Sequence, residues 1–307
     1  MKIISIIEAY KRKFERQSKI KELEYDAAGH CVHIGKLSPG CYYCFSTTNI
    51  FRYNISSGAK CNLSCPYCYF KDQTKEPSKE KIHERKIKII VDSLLSNYNP
   101  LAVSFSGGGE PLLYMDFIVD YMKLLREIER QTKKRPWYYL YTNGVRADIN
   151  TVQKLKDLGF DEIRFHLGAT NFSQLVYKHM KYAARHFKTI TVETPAWPLH
   201  RKKLFEMLPI IEDIGVKHLN IGEIEITRFN YKKICRFIPD AEFFHCYQVH
   251  LDDGGLVYDI IEEIVRKKYS YSVLDCNCFV KSFQRAPARW AFYQGPLDVK
   301  IVAINKL

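Results

Sequence analysis

The sequence predicts an α/β fold, a partial (βα)6 barrel with an extension at each end of the chain. Six short apolar segments alternate with amphipathic segments through the middle of the 307 residues. Strand–helix units of this length join parallel strands through helical crossovers. Glycine-rich or polar motifs follow the predicted strands, and parallel strands bring such motifs to the edge where barrels of this kind bind ligands.

The predicted elements follow one another with few breaks. The first 24 residues are predicted to form a helix, and residues 25–57 are predicted to form loops and short strands, because glycine and proline recur there. The predicted barrel strands are residues 51–56, 101–106, 137–141, 162–167, 189–193 and 218–221. The predicted helices between them are residues 79–96, 115–130, 150–158, 171–186 and 201–214. Most of these strands are nearly continuous apolar runs, as expected of buried parallel strands.

This order of elements predicts three regions. Residues 1–49 form an N-terminal helix and a cysteine-containing extension, and residues 50–228 form the barrel core. Residues 229–307 form a C-terminal cap that carries a Cys-x-Cys sequence. The length suits one large α/β domain with appendages.

The composition is that of a globular protein, with 46% hydrophobic and 26% charged residues. No apolar run approaches the roughly 18 residues of a membrane span. The N-terminus reaches Glu8 and then basic residues too soon for a signal peptide. We therefore expect a cytoplasmic protein that does not enter membranes, with its ten cysteines reduced or bound to metal.

The net charge of +13 predicts an anionic partner, such as RNA or a phosphorylated substrate. The basic clusters are Lys11-Arg12-Lys13, Lys133-Lys134-Arg135, Arg201-Lys202-Lys203 and Arg266-Lys267-Lys268. The alternative is that these clusters solubilise exposed helix faces, since each falls on a predicted exposed helix or at its end. No recognised RNA-binding motif accompanies the charge.

Three cysteines with the spacing C-x3-C-x2-C, Cys61, Cys65 and Cys68, follow the first predicted barrel strand. Three thiolates this close together can hold three irons of a cubane cluster and leave the fourth iron open to a ligand. A disulfide with a spare thiol is disfavoured in a chain without a secretory leader. A zinc site is disfavoured because its ligands usually come in two pairs.

This cysteine spacing, the sequence Gly108-Gly109-Glu110 one βα unit later, and the six-fold alternation together resemble the radical S-adenosylmethionine (SAM) superfamily over about residues 50–228. More narrowly, the chain resembles relatives of the pyruvate formate-lyase activating enzymes, in a branch with a Pro-Gly-Cys-x-x-Cys element before the cluster loop. The resemblance implies a [4Fe-4S] cluster on the three cysteines, with SAM bound at the open iron. It also implies an electron donor such as flavodoxin or ferredoxin.

The resemblance implies SAM-binding roles for two motifs. Tyr67 matches the position whose backbone commonly contacts the adenine, and Gly108, Gly109 and Glu110 match the motif that binds the amino group. Glycines permit close backbone approach, and a carboxylate or carbonyl accepts hydrogen bonds from an ammonium.

Strand ends supply further candidates on the same edge. Thr142 and Asn143 are predicted either to contact SAM or to form a plain turn. His166 and Glu193 are candidates for the methionine carboxylate or the ribose, and the alternative for His166 is a buried structural hydrogen bond. Glu223 and Glu225, at the end of the last predicted strand, face either the pocket or solvent.

Two tight cysteine pairs flank the predicted barrel, Cys41 with Cys44 and Cys276 with Cys278. If the pairs meet, four thiolates could hold an auxiliary iron–sulfur cluster or a structural zinc ion. The alternatives are buried, unligated cysteines or one thiol that donates hydrogen. The remaining cysteines, Cys31, Cys235 and Cys246, are interpreted as small buried side chains.

The predicted reaction follows from the implied cofactor. Reductive cleavage of SAM would give a 5′-deoxyadenosyl radical, which abstracts hydrogen from an unactivated C–H bond of a macromolecular (RNA or protein) or anionic substrate. One alternative is an activase that installs a glycyl radical on another protein. The second is an iron–sulfur electron-transfer protein that uses no SAM.

Overall fold

Two β-sheets organise the computed structural model, which describes residues 2–26, 31–45, 52–56, 60–70, 84–95, 102–106, 108–246 and 249–278. The strands are β1 Lys2–Ile4, β2 Glu24–Asp26, β3 Cys31–Ile34, β4 Arg52–Ser56, β5 Ala102–Ser106, β6 Trp137–Thr142, β7 Glu162–Phe165, β8 Thr189–Pro195, β9 His218–Gly222, β10 Glu225–Ile226, β11 Glu242–His245, β12 Val249–Leu251 and β13 Ser272–Cys276. The helices are α1 Ile6–Gln17, α2 Pro39–Phe45, α3 Glu84–Leu95, α4 Met115–Thr132, α5 Ile149–Asp157, α6 Gln174–His186, α7 Arg201–Ile214, α8 Tyr231–Phe237 and α9 Leu256–Lys267.

The larger sheet has the strand order β2-β3-β13-β9-β8-β7-β6-β5-β4. Strands β4 to β9 pair in chain order and all run parallel, which confirms the predicted α/β fold with its six parallel strands. The order is linear, so the barrel is partial. Strand β13 adds a further parallel strand beside β9, and β3 and β2 continue the sheet antiparallel. The sheet thus takes strands from all three predicted regions, whose boundaries stay a prediction.

The crossover helices cover the outer face of the sheet with apolar side chains. In α4, Ile118, Met122 and Leu125 are buried and recur every three or four residues. The helix ends where Lys133 adopts a left-handed conformation with a φ of 58°. The predicted 115–130 helix is therefore confirmed and continues to residue 132. The part of the predicted 79–96 helix outside α3 lies beyond the described residues.

The first 24 residues do not form the single helix that the sequence predicts. Ser5 ends β1 and caps α1, accepting a hydrogen bond from the Glu8 backbone N–H at 3.0 Å. Strand β1 pairs in parallel with β11, about 240 residues away. A pairing between such distant segments leaves no local signal, and this explains why the sequence pattern favoured a helix.

Helix α1 buries a basic residue that the charge pattern placed in solvent. Its inward positions are Ala9, Lys13 and Gln17, four residues apart, so Lys13 lies in the middle of the buried face and is 2% exposed. Its ammonium contacts Glu223 and lies 3.8 Å from Asp253. Part of the formal positive charge is therefore neutralised inside the protein.

Helix α2 lies in the segment that was predicted to form loops and short strands. It begins at the Pro-Gly sequence, since proline suits the first turn of a helix. It packs against the inner face of the sheet. A Cβ atom on Gly40 would lie 2.5 Å from a guanidinium nitrogen of Arg164 and 3.2 Å from the Tyr139 ring. Only glycine lets the helix backbone approach these side chains so closely.

The smaller sheet has the order β1-β11-β12-β10 and lies beside the cysteine loop. Ile226, Ile234 and Phe243 of this sheet and α8 form one buried cluster with Tyr67 of the loop and Trp197. The loop is thus held between the barrel and the smaller sheet. Within the described part of the chain, every helix is too short or too polar to cross a membrane.

Candidate active site

A cavity of about 390 Å³ opens at the C-terminal edge of the parallel strands. It is lined by all the sequence-predicted residues for the first cluster and for SAM: Cys61, Cys65, Tyr67, Cys68, Gly108, Gly109, Glu110, Thr142, Asn143, His166 and Glu193. The fold brings these residues together because each follows or ends a parallel strand. Their individual roles stay predictions.

The three cysteines of the loop line this cavity and are partly exposed. The Cys65 sulfur lies 3.8 Å from the carbonyl oxygen of Ala169, and the Cys61 sulfur lies 3.8 Å from Asn143 Nδ2. Burial raises the pKa of Cys61. Burial and the neighbouring thiols raise the pKa of Cys65 to about 12. Such thiols lose their protons when a metal cation replaces them, so the donor set fits a cationic iron–sulfur cluster.

The Glu110 carboxylate ties two loops of the cavity together. It accepts hydrogen bonds from Thr142 Oγ1 at 2.6 Å and from the Asn143 backbone N–H at 2.7 Å. A third comes from the Leu112 backbone N–H at 3.1 Å. Burial raises the pKa of Glu110, although these hydrogen bonds act in the opposite direction. The side chain thus fixes the strand ends, while its backbone N–H donates to the Lys60 carbonyl at 2.9 Å, next to the cysteine loop.

Asn143 extends this connection to the cysteine loop itself. Its Nδ2 donates to Asn62 Oδ1 at 2.7 Å, and its Oδ1 accepts from the Val145 backbone N–H at 3.0 Å. The polar residues after β6 are therefore more than a plain turn, since they join the loops after β4, β5 and β6.

His166 is buried as a neutral ring that Tyr67 covers. Its Nδ1 accepts a hydrogen bond from the Ala169 backbone N–H at 3.0 Å, so Nε2 carries the ring proton. Burial lowers the pKa of His166 despite the nearby Glu193 carboxylate. The Tyr67 ring stacks on it with centroids 5.9 Å apart. His166 therefore makes the predicted structural hydrogen bond and also lines the cavity.

Two hydroxyl groups beside His166 point to a further polar ligand. Among the residues that the structure describes, Tyr67 OH and Thr194 Oγ1 are buried and have no hydrogen-bond partner. A Cβ atom on Gly168 would lie 2.6 Å from Thr194 Oγ1 and 2.9 Å from Tyr67 OH, so glycine alone allows this packing. Both residues line the cavity, where buried polar groups require partners. The cavity therefore fits a ligand with polar groups, as SAM has.

The cavity floor is formed by a buried arginine that the sequence analysis missed. Arg164 bonds to Glu162 at 2.8 Å and to Glu193 at 3.3 Å, and it donates to Ser38 Oγ at 2.7 Å. Burial alone lowers the pKa of Arg164, but the surrounding anions raise it well above its ordinary value. The charged residues inside an otherwise apolar predicted strand were the signal that could have identified this network.

The smaller sheet holds the cysteine loop through a second residue that the sequence did not indicate. Asn230 is fully buried, and its Nδ2 donates to the carbonyl oxygens of Tyr67 at 3.0 Å and Glu225 at 2.8 Å. Its Oδ1 accepts from the Thr227 backbone N–H at 2.8 Å. Thr227 Oγ1 donates to the Tyr69 carbonyl at 3.0 Å. These bonds hold the backbone of the loop on the side away from the barrel.

The flanking cysteines fall into two different clusters. Cys41 and Cys276 pack with Cys31 and line the cavity, and Asn220 Nδ2 donates to the Cys41 sulfur at 3.1 Å. Burial raises the pKa of Cys41, although Arg164 opposes this. The side chain of Cys44 lies outside the described residues. Whether these pairs share a metal stays a prediction.

The second of these clusters contains the other member of the C-terminal pair. Cys278 packs with Cys246 among Ile4, Ala9 and Phe244. The carboxyl group of Glu223, which also lines the cavity, accepts a hydrogen bond from the Cys278 backbone N–H at 2.7 Å.

Residues 55–191 match the family model described as "Radical SAM superfamily". Two relatives named "Probable GTP 3′,8-cyclase", from Methanococcus maripaludis strains C6 and C5, are each 32% identical, over 118 and 125 residues. These stretches cover 38% and 41% of this chain but only 36% and 39% of the relatives. The chain thus spans less than half the length of the curated relatives that it matches.

Solved structures show the same fold. Native anSMEcpe with bound AdoMet has a TM-score of 0.50 at 15% identity and covers 72% of this chain and 63% of that one. Streptococcus suis SuiB bound to S-adenosylmethionine also has a TM-score of 0.50 at 15% identity, covering 76% and 52%. The narrower resemblance to pyruvate formate-lyase activating enzymes stays a prediction. The family match over residues 55–191, the parallel sheet and the cysteine loop agree, so this part of the chain is a radical SAM domain.

Proposed function

We propose that this protein reductively cleaves SAM and uses the resulting radical to abstract hydrogen from a substrate at the open mouth of the barrel. One observation carries the proposal: the three cysteines of the loop and the eight predicted SAM-binding residues line one cavity. When bound, a [4Fe-4S] cluster supplies the electron that cleaves SAM to methionine and a 5′-deoxyadenosyl radical.

The residues of the chain have separate tasks in this reaction. Cys61, Cys65 and Cys68 would hold the cluster at the rim. Glu110 and Asn143 hold the loops around the SAM site in fixed positions through the hydrogen bonds described above. Tyr67 and His166 form a stacked wall that excludes water from the radical.

The charges of the cavity favour a neutral or cationic substrate group, and we propose a polypeptide segment. Among the described lining residues the only Lys or Arg is Arg164, and it is already bonded to Glu162 and Glu193. The acidic lining residues are Glu110, Glu193, Glu223 and Glu225. A nucleoside triphosphate, the substrate that the name of the curated relatives implies, would meet these carboxyl groups without a free cation to bind.

Formation of 5′-deoxyadenosine tests the reaction. The anaerobically reconstituted protein, incubated with dithionite and SAM, should release 5′-deoxyadenosine, and Cys65→Ala should abolish this. Cys235→Ala is the matched control, because Cys235 lies on α8 outside the loop, and it should keep the activity. If the reconstituted wild-type protein binds iron but yields no 5′-deoxyadenosine, the protein is an iron–sulfur protein that does not cleave SAM.

The substrate class is tested by adding candidate substrates to the same assay. A peptide fraction from cell extract should raise the rate of 5′-deoxyadenosine formation, whereas GTP and RNA should leave it unchanged. A rate increase with GTP, or one with RNA that disappears as salt is added, would contradict the polypeptide assignment.

A further inference from the structure

A second group of metal-ligating side chains lies apart from the cysteine loop. A carboxylate oxygen of Glu223, a ring nitrogen of His250 and the sulfur of Cys278 all lie within 4.8 Å of one another. The three residues are 2%, 1% and 0% exposed. We propose that they bind a structural Zn²⁺ ion, with Cys246 as the fourth ligand. This inference does not depend on the proposed reaction.

Four separate elements bring these ligands together. Glu223 follows β9, Cys246 follows β11, His250 lies in β12 and Cys278 follows β13. His250 is paired with Phe244 across β11 and β12, and their rings stack with centroids 5.7 Å apart. Cys246 comes two residues after Phe244 and packs in the same cluster as Cys278. Cys246 therefore lies beside the three-residue group, next to Cys278.

Neighbouring side chains orient these ligands as outer partners do in metal sites. Tyr10 OH lies 3.0 Å from the Cys278 sulfur, where it can donate to a thiolate. The Lys13 ammonium contacts one oxygen of Glu223, and the Cys278 backbone N–H donates to the other at 2.7 Å. Each carboxylate oxygen has two lone pairs, so these contacts leave room for a metal bond.

The balance of charge gives a second, independent reason to expect a cation here. Three buried carboxyl groups, those of Glu223, Asp253 and Asp275, surround the single ammonium of Lys13. Within the described part of the chain, Asp253 Oδ2 and Asp275 Oδ1 have no hydrogen-bond partner. Buried carboxylates that outnumber their cation are costly, and a Zn²⁺ ion bound to Glu223 would give this carboxylate a second cationic partner, while the two thiolate ligands would balance the charge of the ion itself.

The ligand types identify the metal. Calcium and magnesium take oxygen ligands only, and an iron–sulfur cluster is usually held by thiolates, of which this site offers two. Two sulfurs, an imidazole and a carboxylate match the ligands and the tetrahedral geometry of zinc. Four protein ligands leave no open position, so the ion would be structural. It would join α1, through Tyr10 and Lys13, to the rim of the cavity at Glu223.

Metal analysis of the whole protein tests this proposal. Protein that carries Cys61→Ser, Cys65→Ser and Cys68→Ser, and so lacks the loop thiols, should retain one Zn²⁺ ion per chain after metal removal, incubation with Zn²⁺ and dialysis. Cys278→Ser and His250→Ala should each lower the Zn²⁺ affinity at least about tenfold. Cys235→Ser is the matched cysteine control and should retain the zinc. Cys61→Ser should lose cluster iron but keep the zinc, so this result does not depend on SAM cleavage.

Cobalt provides a readout that leaves the four proposed ligands intact. Co²⁺ added to metal-free protein that carries Cys61→Ser, Cys65→Ser and Cys68→Ser should give a thiolate-to-cobalt charge-transfer band and the intense visible bands of tetrahedral cobalt. Zn²⁺ should then displace the cobalt and remove both bands. The proposal is wrong if this folded protein shows no thiolate band with Co²⁺, or if adding Cys278→Ser to it leaves the Zn²⁺ affinity unchanged.

Discussion

Replacing Asn230 with alanine should destabilise the protein and loosen the cysteine loop. The side chain makes three hydrogen bonds, to the Tyr67 and Glu225 carbonyls and from the Thr227 N–H, and it is fully buried. At about 0.5–1.5 kcal/mol of net stability for each bond, the substitution should lower the free energy of unfolding by about 2–4 kcal/mol. Since the Tyr67 carbonyl belongs to the loop, iron should also leave the reconstituted protein faster.

Two measurements check this expectation. Urea unfolding followed by circular dichroism gives the free energy, and a ferrous chelator gives the rate of iron release. Asn150→Ala is the control, because Asn150 is exposed on α5, and it should match wild type in both assays. If Asn230→Ala unfolds at the wild-type urea concentration and releases iron at the wild-type rate, then the smaller sheet does not hold the loop.

Three further substitutions test the cavity walls and the floor. Gly168→Ala places a Cβ 2.9 Å from Tyr67 OH and should weaken SAM binding by about 1–3 kcal/mol, measured by calorimetry; an unchanged Kd would contradict the packing argument. Arg164→Met leaves the buried Glu162 carboxylate without its cation and should cost about 3–5 kcal/mol of unfolding free energy, whereas a thermal unfolding midpoint equal to that of wild type would count against the network. Burial lowers the pKa of His218 to about 4, so the folded state favours the neutral ring, and stability present above about pH 6.5 is lost as the pH falls toward 4. Wild type should therefore lose up to about 2 kcal/mol between pH 7 and pH 5, and His218→Gln should lose less; equal losses in the two proteins would refute this.

The six central strands could be predicted because strands that are buried between helices appear in the sequence as short apolar runs. The strand β13 was missed because its sequence, Ser-Val-Leu-Asp-Cys, has only two aliphatic residues beside a charged one and so lacks the apolar run expected of a buried parallel strand. Its Asp275 is buried in the polar group that contains Lys13 and Tyr258, a partnership that no local pattern reveals. Strand β1 was missed for the related reason that its partner, β11, is distant in sequence.

The predicted site residues were found because motif spacing places them at strand ends. The residues that hold the motifs in position were not predicted. In the sequence, Asn230 looks like an ordinary loop asparagine. Its hydrogen bond to the Tyr67 carbonyl is evident only from the position of that carbonyl in the structure. Cys246 and His250 likewise gain their significance only when β11 and β12 pair. Sequence spacing therefore predicts which residues meet in the cavity, while the supporting contacts require the three-dimensional arrangement.

The antiparallel pairing of β3 with β13 joins parts of the chain that are about 240 residues apart. During synthesis on the ribosome, β3 emerges long before β13, and α1 emerges long before its partner Glu223. The early segments can pair only after the last quarter of the chain has been made. Closing so large a loop is slow, because its entropy cost comes before the stabilising contacts form. The N-terminal segment should therefore become resistant to protease only after β13 has left the exit tunnel, once the strands from β4 to β9 have been made.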